Sequence, residues 1–195
     1  MSTRGDNVNL IGTKNIETDR LILRKVKKED AKEAYNNWCS SDKVSKYVVW
    51  KKHENVEETK ELFEMWERDY ENLDTFRWIV ELKDTHKLIG TIDVVSKKYF
   101  KYDVCEVGYC YGEKFWNKGY ASESLKAVIK YLFEEVGLEV IYADHMSNNP
   151  ASGKVMEKAG LKKEGILRGR MIDKDGIRND LVSYSITKDE YFNRK

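Results

Sequence analysis

Residues 104–143 read VCEVGYCYGEKFWNKGYASESLKAVIKYLFEEVGLEVIYA, and this stretch decides the fold. Its first eight residues, Val104 to Tyr111, are rich in Val, Tyr and Cys and read as a strand, with Gly108 in its interior. Its centre repeats apolar residues at helical spacing. Ala121, Leu125, Val128, Ile129, Leu132, Phe133 and Val136 trace one stripe, and Gly137 stands at a C′ position that stops the helix. Its end, Val140 to Ala143, reads as a short buried strand. Strand, long helix and strand imply a parallel pair joined by a helical crossover.

Working outward, Phe76 to Leu82 and Leu88 to Val95 precede this unit as two more strands, divided by the turn Lys83-Asp84-Thr85. With Val104 to Tyr111 they form an antiparallel meander, its last connection running from Lys97 to Asp103. Further upstream Leu21 to Arg24 reads as a strand. Lys28-Glu29-Asp30 gives an acidic start to a helix over Ala31 to Cys39. Leu62, Phe63, Trp66, Tyr70 and Leu73 place an amphipathic helix within Val56 to Leu73. Downstream, Asn149-Pro150 offers a cap and a proline at the first helical position, and Ala151, Val155, Met156 and Ala159 give that helix an apolar face ending at Gly160. Ile166 to Ile172 and Leu181 to Ile186 form a closing hairpin around Asp173-Lys174-Asp175-Gly176. The order β-α-α-β-β-β-α-β-α-β-β describes a mixed α/β domain.

At 195 residues, with no repeat, no low-complexity tract and one proline, the expected organisation is a single domain over 1–195, with 1–15 as a loosely ordered N-terminal extension. The 35 basic and 34 acidic side chains nearly cancel, at a formal charge of +1, so no global field draws the chain to nucleic acid or an anionic membrane. The three cysteines, Cys39, Cys105 and Cys110, form no CxxC pair and fit a reduced, cytoplasmic setting. No signal-peptide core follows Met1, and no run is apolar enough to span a membrane. His53, His86 and His145 lack metal-ligand spacing, so no metal is expected. The basic-aromatic run from Lys97 to Tyr102 reads as an exposed connection between strands.

Three local features carry chemistry. Trp116-Asn117-Lys118-Gly119-Tyr120-Ala121-Ser122 joins a strand to the start of the long helix, where free backbone N–H groups and the helix dipole suit a phosphate or pyrophosphate. Gly119 admits close approach of oxygen atoms, and Lys118 adds a point charge. Gly108 marks a bulge or a close approach that would splay Val104–Tyr111 from the parallel strand and open a slot for an extended ligand bearing amides. Asn148-Asn149-Pro150-Ala151-Ser152 lies at the carboxyl end of that parallel strand, where ligands of open α/β sheets tend to bind.

Together these features resemble the acyl-CoA core of the GNAT superfamily, in the branch of ribosomal-protein N-terminal acetyltransferases. The resemblance is carried by Glu106-Val107-Gly108-Tyr109, Trp116 to Leu125, Asn148 to Ser152, Met156 to Leu161 with Glu164-Gly165, and Thr18 to Arg24. It implies a central, mostly antiparallel twisted sheet with a splayed parallel pair, flanked by helices. It also implies direct transfer of an acetyl group from acetyl-CoA to a primary amine, either a peptide N-terminus or a small amine. By resemblance, the backbone of Asn117 to Ser122 holds the pyrophosphate, Tyr109, Cys110 and Tyr111 pair with pantetheine, and Asn148 binds the pantetheine arm. Trp116 stands where the general loop carries Gln or Arg. Ser152 matches the position of the acid that serves the leaving thiolate.

Direct transfer also needs an oxyanion donor, for which the backbone N–H near Cys110 is the candidate, and a base for the amine. Glu106, Asp93 or a water relay can serve as that base, because the strand position near Met171 that holds a Glu in some relatives offers only a thioether. Trp50 and His53 are the candidates for the acceptor pocket. A homodimer is a candidate assembly, and a non-catalytic acyl-CoA-binding domain of the same fold is the alternative reading.

Overall fold

The structure is a computed structural model and describes residues 8–96 and 98–193. Eight strands form one sheet: β1 (Ile16–Glu17), β2 (Leu21–Arg24), β3 (Arg77–Leu82), β4 (Leu88–Ser96), β5 (Val104–Tyr111), β6 (Val140–Met146), β7 (Lys162–Ile172) and β8 (Arg178–Thr187). Their spatial order is β1-β2-β3-β4-β5-β6-β8-β7. Neighbours run antiparallel except β5 and β6, which are parallel as the strand–helix–strand pattern requires. The helices are α1 (Ala31–Ala34), continued by a π-helical turn over Tyr35–Cys39, α2 (Asp42–Ser45), α3 (Val56–Asp69), α4 (Tyr120–Tyr131), with a π-helical turn to Val136, α5 (Pro150–Ala159) and α6 (Lys188–Phe192).

Alternation along the strands divides the core into two layers. On one face Leu21, Leu23, Trp78, Val80, Ile92, Cys105, Val107 and Ile141 meet Leu125, Val128 and Ile129 of α4 and Met156 and Ala159 of α5. On the other face Ile79 and Leu88 meet Ala31, Ala34, Trp38 and Phe63 from α1, its π turn and α3, with Trp50 and Cys110 packed at the margin. Burying such side chains stabilises the fold by roughly 1.5–3 kcal/mol each. Arg24 ties the second layer to the sheet through a two-pronged pair with Asp30 at 2.8 Å and a third bond to Glu81 at 2.9 Å.

Four expectations need correction. The first concerns the extension: residues 8–15 are pinned to the core, whereas 1–7 lie outside the described residues. Asn9 donates to Val136, Gly12 N–H donates to Leu73, and the Gly12 and Lys14 carbonyls accept from Tyr131 and the Trp78 indole. Second, the helix expected through Leu73 ends at Asp69. Third, the closing hairpin is longer than its apolar alternation, because β7 lies at the sheet edge, exposed along most of its length, and no buried face marks its start. Fourth, the bulge near Gly108 belongs to the neighbouring strand. The register steps from Val94↔Val107 to Ser96↔Glu106, so Val95 is the extra residue, and a Cβ on Gly108 would stand 2.6 Å from Val95 Cγ1.

Gly90 is constrained differently, since a Cβ there would overlap the Cys110 carbonyl oxygen, which is fixed in the sheet. Gly90→Ala is therefore expected to destabilise the protein by roughly 2–4 kcal/mol. Gly108→Ala, whose obstacle is the half-exposed end of a side chain, should cost less than about 1.5 kcal/mol. Urea unfolding of the two variants checks the order.

Candidate functional site

The site begins where a ladder stops. β5 and β6 pair only from Val104↔Val140 to Glu106↔Tyr142, and beyond Tyr142 strand β6 pairs only with β8. Gly112 N–H donates to Ile89 of β4. Two-residue alternation then points the Cys110 N–H at Thr91, its partner in β4, and turns the N–H groups of Tyr109 and Tyr111 toward the gap. Of the N–H groups near Cys110 expected to serve as the oxyanion donor, those of the two neighbouring residues therefore face the gap. The Cys110 N–H points into the ladder and its side chain joins the second core layer, while the Tyr109 and Tyr111 side chains pack on the face of α4 and α5.

The strand-to-helix junction supplies the second element. Trp116 N–H closes onto Glu113, and the next intrachain backbone bond is that of Glu123 N–H to Gly119. Between them the N–H groups of Asn117, Lys118, Gly119, Tyr120, Ala121 and Ser122 have no acceptor among the described residues. Asn117 and Gly119 take left-handed conformations, at φ 59° and 83°, which turn these donors outward into a concave cradle. Six orphan donors at the start of α4, where the helix dipole is positive, fit the pyrophosphate of an acyl-CoA. The Trp116 indole donates to the Tyr111 carbonyl at 2.7 Å. It thereby removes one free acceptor from the gap, a role that a sequence comparison of polar loop residues does not suggest.

Arg20 completes the cradle from 98 positions upstream, and local sequence reading missed it. Its Nη1 donates to the Lys118 carbonyl at 3.1 Å, its Nε donates to Glu123 at 2.7 Å, and its guanidinium lies 4.6 Å from the centre of the Tyr120 ring. Glu123 in turn accepts from the Thr18 hydroxyl at 2.6 Å. The clamp holds the loop from behind, on the carbonyl side. The signal that points to it is Thr18-Asp19-Arg20, which became meaningful only with Glu123 in view.

At the carboxyl end of β6 the first turn of α5 brings Ser152 to the gap. Tyr109 Oη lies 2.8 Å from Ser152 Oγ and 3.0 Å from its carbonyl oxygen. Tyr111 reaches the Ser124 hydroxyl of α4 on the same side. Asn149 occupies the cap position of α5 without a side-chain capping bond. The Asn148 amide lies on an exposed turn and bonds Asn179 at 3.4 Å, with no contact to Tyr109 or Ser152.

Glu106 projects from the opposite face of β5, with Gly108 and Cys110. It accepts from the Tyr142 hydroxyl at 3.2 Å, and burial together with the charge of Asp144 pushes its carboxyl above the ordinary range. Burial raises the Asp93 carboxyl above its ordinary value despite the Arg77 guanidinium 3.3 Å away, with which Asp93 is already paired. On this face Trp50 and His53 approach each other at 5.9 Å between ring centres. His53 bonds Thr59 at 2.7 Å, and burial lowers its pKa. Burial pushes the thiols of Cys105 and Cys110 up, so neither is poised as a thiolate nucleophile. Among the described residues no group of three or more His, Cys, Asp or Glu side chains converges as for a metal.

A splayed parallel pair, a cradle of orphan N–H groups and a polar helix start at the end of β6 are features of one acyl-transfer fold. The model of the acetyltransferase (GNAT) domain matches residues 20–162. The chain belongs to the GNAT acetyltransferase family. This GNAT chain is 36% identical to YoaA, an uncharacterized N-acetyltransferase of Bacillus subtilis, over 89% of its own length and 96% of that protein's. It is 28% identical to the [ribosomal protein uS5]-alanine N-acetyltransferase of Escherichia coli over 55% of each chain. A solved GNAT-family acetyltransferase from Bacillus anthracis superposes with a TM-score of 0.78 at 29% identity, over 91% of this chain and all of that one. The chain is an N-acetyltransferase, and acetyl-CoA is the acetyl donor of the GNAT family. No helix among the described residues is long and apolar enough to cross a membrane.

The cradle makes two graded predictions for acetyl-CoA affinity. Gly119→Glu places a bulky carboxylate at a left-handed position beside the orphan donors and should abolish measurable binding in calorimetry. Arg20→Met removes the clamp and leaves the donors, and should weaken binding by roughly three- to tenfold, the equivalent of about one ordinary hydrogen bond.

Proposed function

We propose that the protein acetylates a primary amine by direct transfer from acetyl-CoA, with Glu106 and Ser152 acting from opposite faces of the sheet. The observation that carries this reading is the gap itself. Glu106 lies on the face lined by Trp50 and Cys110, whereas Tyr109, Tyr111 and Ser152 meet on the face covered by α4 and α5. An acetyl thioester threaded between β5 and β6 would meet an amine from one side and a hydroxyl donor from the other.

In this reading Asn117 to Ser122 hold the pyrophosphate through backbone N–H groups, and Lys118 adds positive charge. Tyr109 and Tyr111 use the backbone groups that β6 leaves unpaired to fix the pantetheine amide and the acetyl carbonyl. Glu106, directly or through a water molecule, takes a proton from the ammonium so that its lone pair can attack. Its raised pKa makes it a better base than an ordinary surface carboxylate. Ser152 donates to the sulfur as the carbon–sulfur bond breaks and its electron pair moves onto sulfur. Trp50 and His53 border the acceptor side, and the neutral imidazole of His53 adds no charge against an incoming ammonium. Resemblance to the ribosomal-protein N-terminal acetyltransferases supports a peptide α-amine, whose lower pKa relative to a lysine side chain reduces the work asked of Glu106.

Release of CoA thiol from acetyl-CoA, measured with peptides beginning in alanine or serine and with small primary amines, tests the reading. Turnover with at least one acceptor is expected, and CoA binding without turnover on any acceptor overturns it. Ser152→Ala should lower kcat by about a hundredfold or more with acetyl-CoA affinity nearly unchanged. The base predicts a pH profile. Glu106 works ionised, so kcat/KM falls as pH drops through its raised pKa, and Glu106→Gln should remove that acidic limb and lower the plateau. A variant that keeps the limb assigns it to another group.

A further inference from the structure

One phenol hydrogen serves two acceptors beside the gap. Tyr109 Oη is within bonding distance of both the carbonyl oxygen and the hydroxyl of Ser152, at 3.0 and 2.8 Å, yet a tyrosine hydroxyl carries a single hydrogen. When the phenol donates to the carbonyl, the 2.8 Å contact is a hydrogen bond only if the serine hydroxyl donates to Oη. Its hydrogen is then turned toward the tyrosine. When the phenol donates to Oγ instead, the serine hydrogen is released and turns to another acceptor. The two arrangements differ by rotation of two hydrogens, with no movement of heavy atoms.

The surroundings restrict what else can hold this pair. Tyr111, the next residue on the same face of β5, spends its hydroxyl on Ser124. Tyr184 of β8 donates to Glu157 of α5 at 3.2 Å, and the His145 ring of β6 lies 5.7 Å from the Tyr184 ring. A Cβ on Gly153 would stand 2.7 Å from His145 Nε2 and 3.0 Å from Tyr184 Oη, so the missing side chain lets the first turn of α5 settle against β6 and β8. This close seat fixes Ser152 over Tyr109. Burial pushes the Tyr109 phenol up, which favours its protonated form.

We infer that Tyr109 is a positioning residue that switches the Ser152 hydroxyl between a parked state, bonded to the phenol, and a donating state aimed at the CoA sulfur. The inference rests on the reading of Ser152 as the donor to the leaving sulfur. In the donating state the phenol bonds Oγ while Oγ–H bonds sulfur, and a chain of two bonds polarises each member toward the developing negative charge. The carbon–sulfur bond supplies the electron pair that sulfur keeps, and no proton leaves Tyr109. The parked state satisfies both hydroxyls when no sulfur charge is present, so an unpaired buried donor is avoided.

The switch predicts a property of bound CoA that needs no acceptor. Affinities of CoA and of desulfo-CoA, which lacks the sulfur, are measured by calorimetry from about pH 6 to 10, and their ratio yields the pKa of the bound thiol. In the wild-type protein this pKa should lie below that of free CoA. Ser152→Ala should raise it by about one unit, a tenfold loss of relative thiolate affinity. Tyr109→Phe should recover most of that rise, and the double variant should add nothing further. Desulfo-CoA affinity should stay within about twofold in every variant, which reports an intact cradle. 3-Fluorotyrosine placed at position 109, nearly the same size and a stronger donor, should lower the bound thiol pKa further. A wild-type thiol pKa in Tyr109→Phe beside a shifted one in Ser152→Ala overturns the switch and leaves Ser152 in place. No shift in either overturns the Ser152 reading. Additive shifts, or a fluorotyrosine protein identical to wild type, overturn the coupling even if Tyr109→Phe does not fold.

Discussion

The parallel ladder between β5 and β6 ends at Glu106 and Tyr142, and the rest of the site depends on that ending. A backbone donor or acceptor left unpaired in a sheet has to find a partner, and in the proposed reading that partner is the acyl-CoA. The ending has a structural cause on each side. β5 stays with β4 up to Tyr111, where the Trp116 indole takes the last carbonyl, whereas β6 stays with β8 up to Met146. Each strand of the parallel pair is thus held by its antiparallel neighbour, and the two part company between them. The gap is made by competition between ladders.

The same alternation that opens the gap also sorts the chemistry. Even-numbered residues of β5, Glu106, Gly108 and Cys110, face the layer of α1, α3 and Trp50, and the odd-numbered Tyr109 and Tyr111 face α4 and α5. A base and a donor to the leaving group therefore cannot meet and neutralise each other, though only two residues separate Glu106 from the backbone groups that face the gap. Raising the Glu106 carboxyl carries a stability cost with a definite sign. Its folded pKa lies above its unfolded one, so ionisation favours the unfolded chain, and this penalty is present at neutral pH and relieved as pH falls through the raised value. A site that keeps such a group offsets its cost elsewhere, here in two well-filled core layers.

What could be read from the sequence was whatever has a local period or a local turn. The crossover unit from Val104 to Ala143 was legible because the change from period two to 3.6 is abrupt, and the cradle because Gly119 sits at the change. Gly108 was legible as a special position, but the bulge it accommodates is at Val95, since a glycine marks the place where a neighbour intrudes as readily as the place where its own strand deforms. The oxyanion donor could be placed only as near Cys110 for a related reason. Which of two adjacent N–H groups faces a ladder is a question of register, and register was set by Gly112 pairing with Ile89 across the sheet. Arg20 and Glu123 show the limit most plainly: each looks like a solvated charge in its own segment, and their contact exists only once β2 is laid beside α4.

Trp116 shows how a departure from a familiar loop can preserve the site that the loop serves. A polar side chain at that position would add one more donor to a cradle that already presents six backbone N–H groups. An indole instead uses its single N–H to cap the Tyr111 carbonyl. Capping that carbonyl removes an acceptor from the side of the gap where only donors are wanted, because the carbonyl oxygen of a thioester and the sulfur that leaves it both gain negative charge during transfer. The gap is thereby left with the N–H groups of Tyr109 and Tyr111 and the hydroxyl of Ser152, a set whose polarity matches the charge that develops within it.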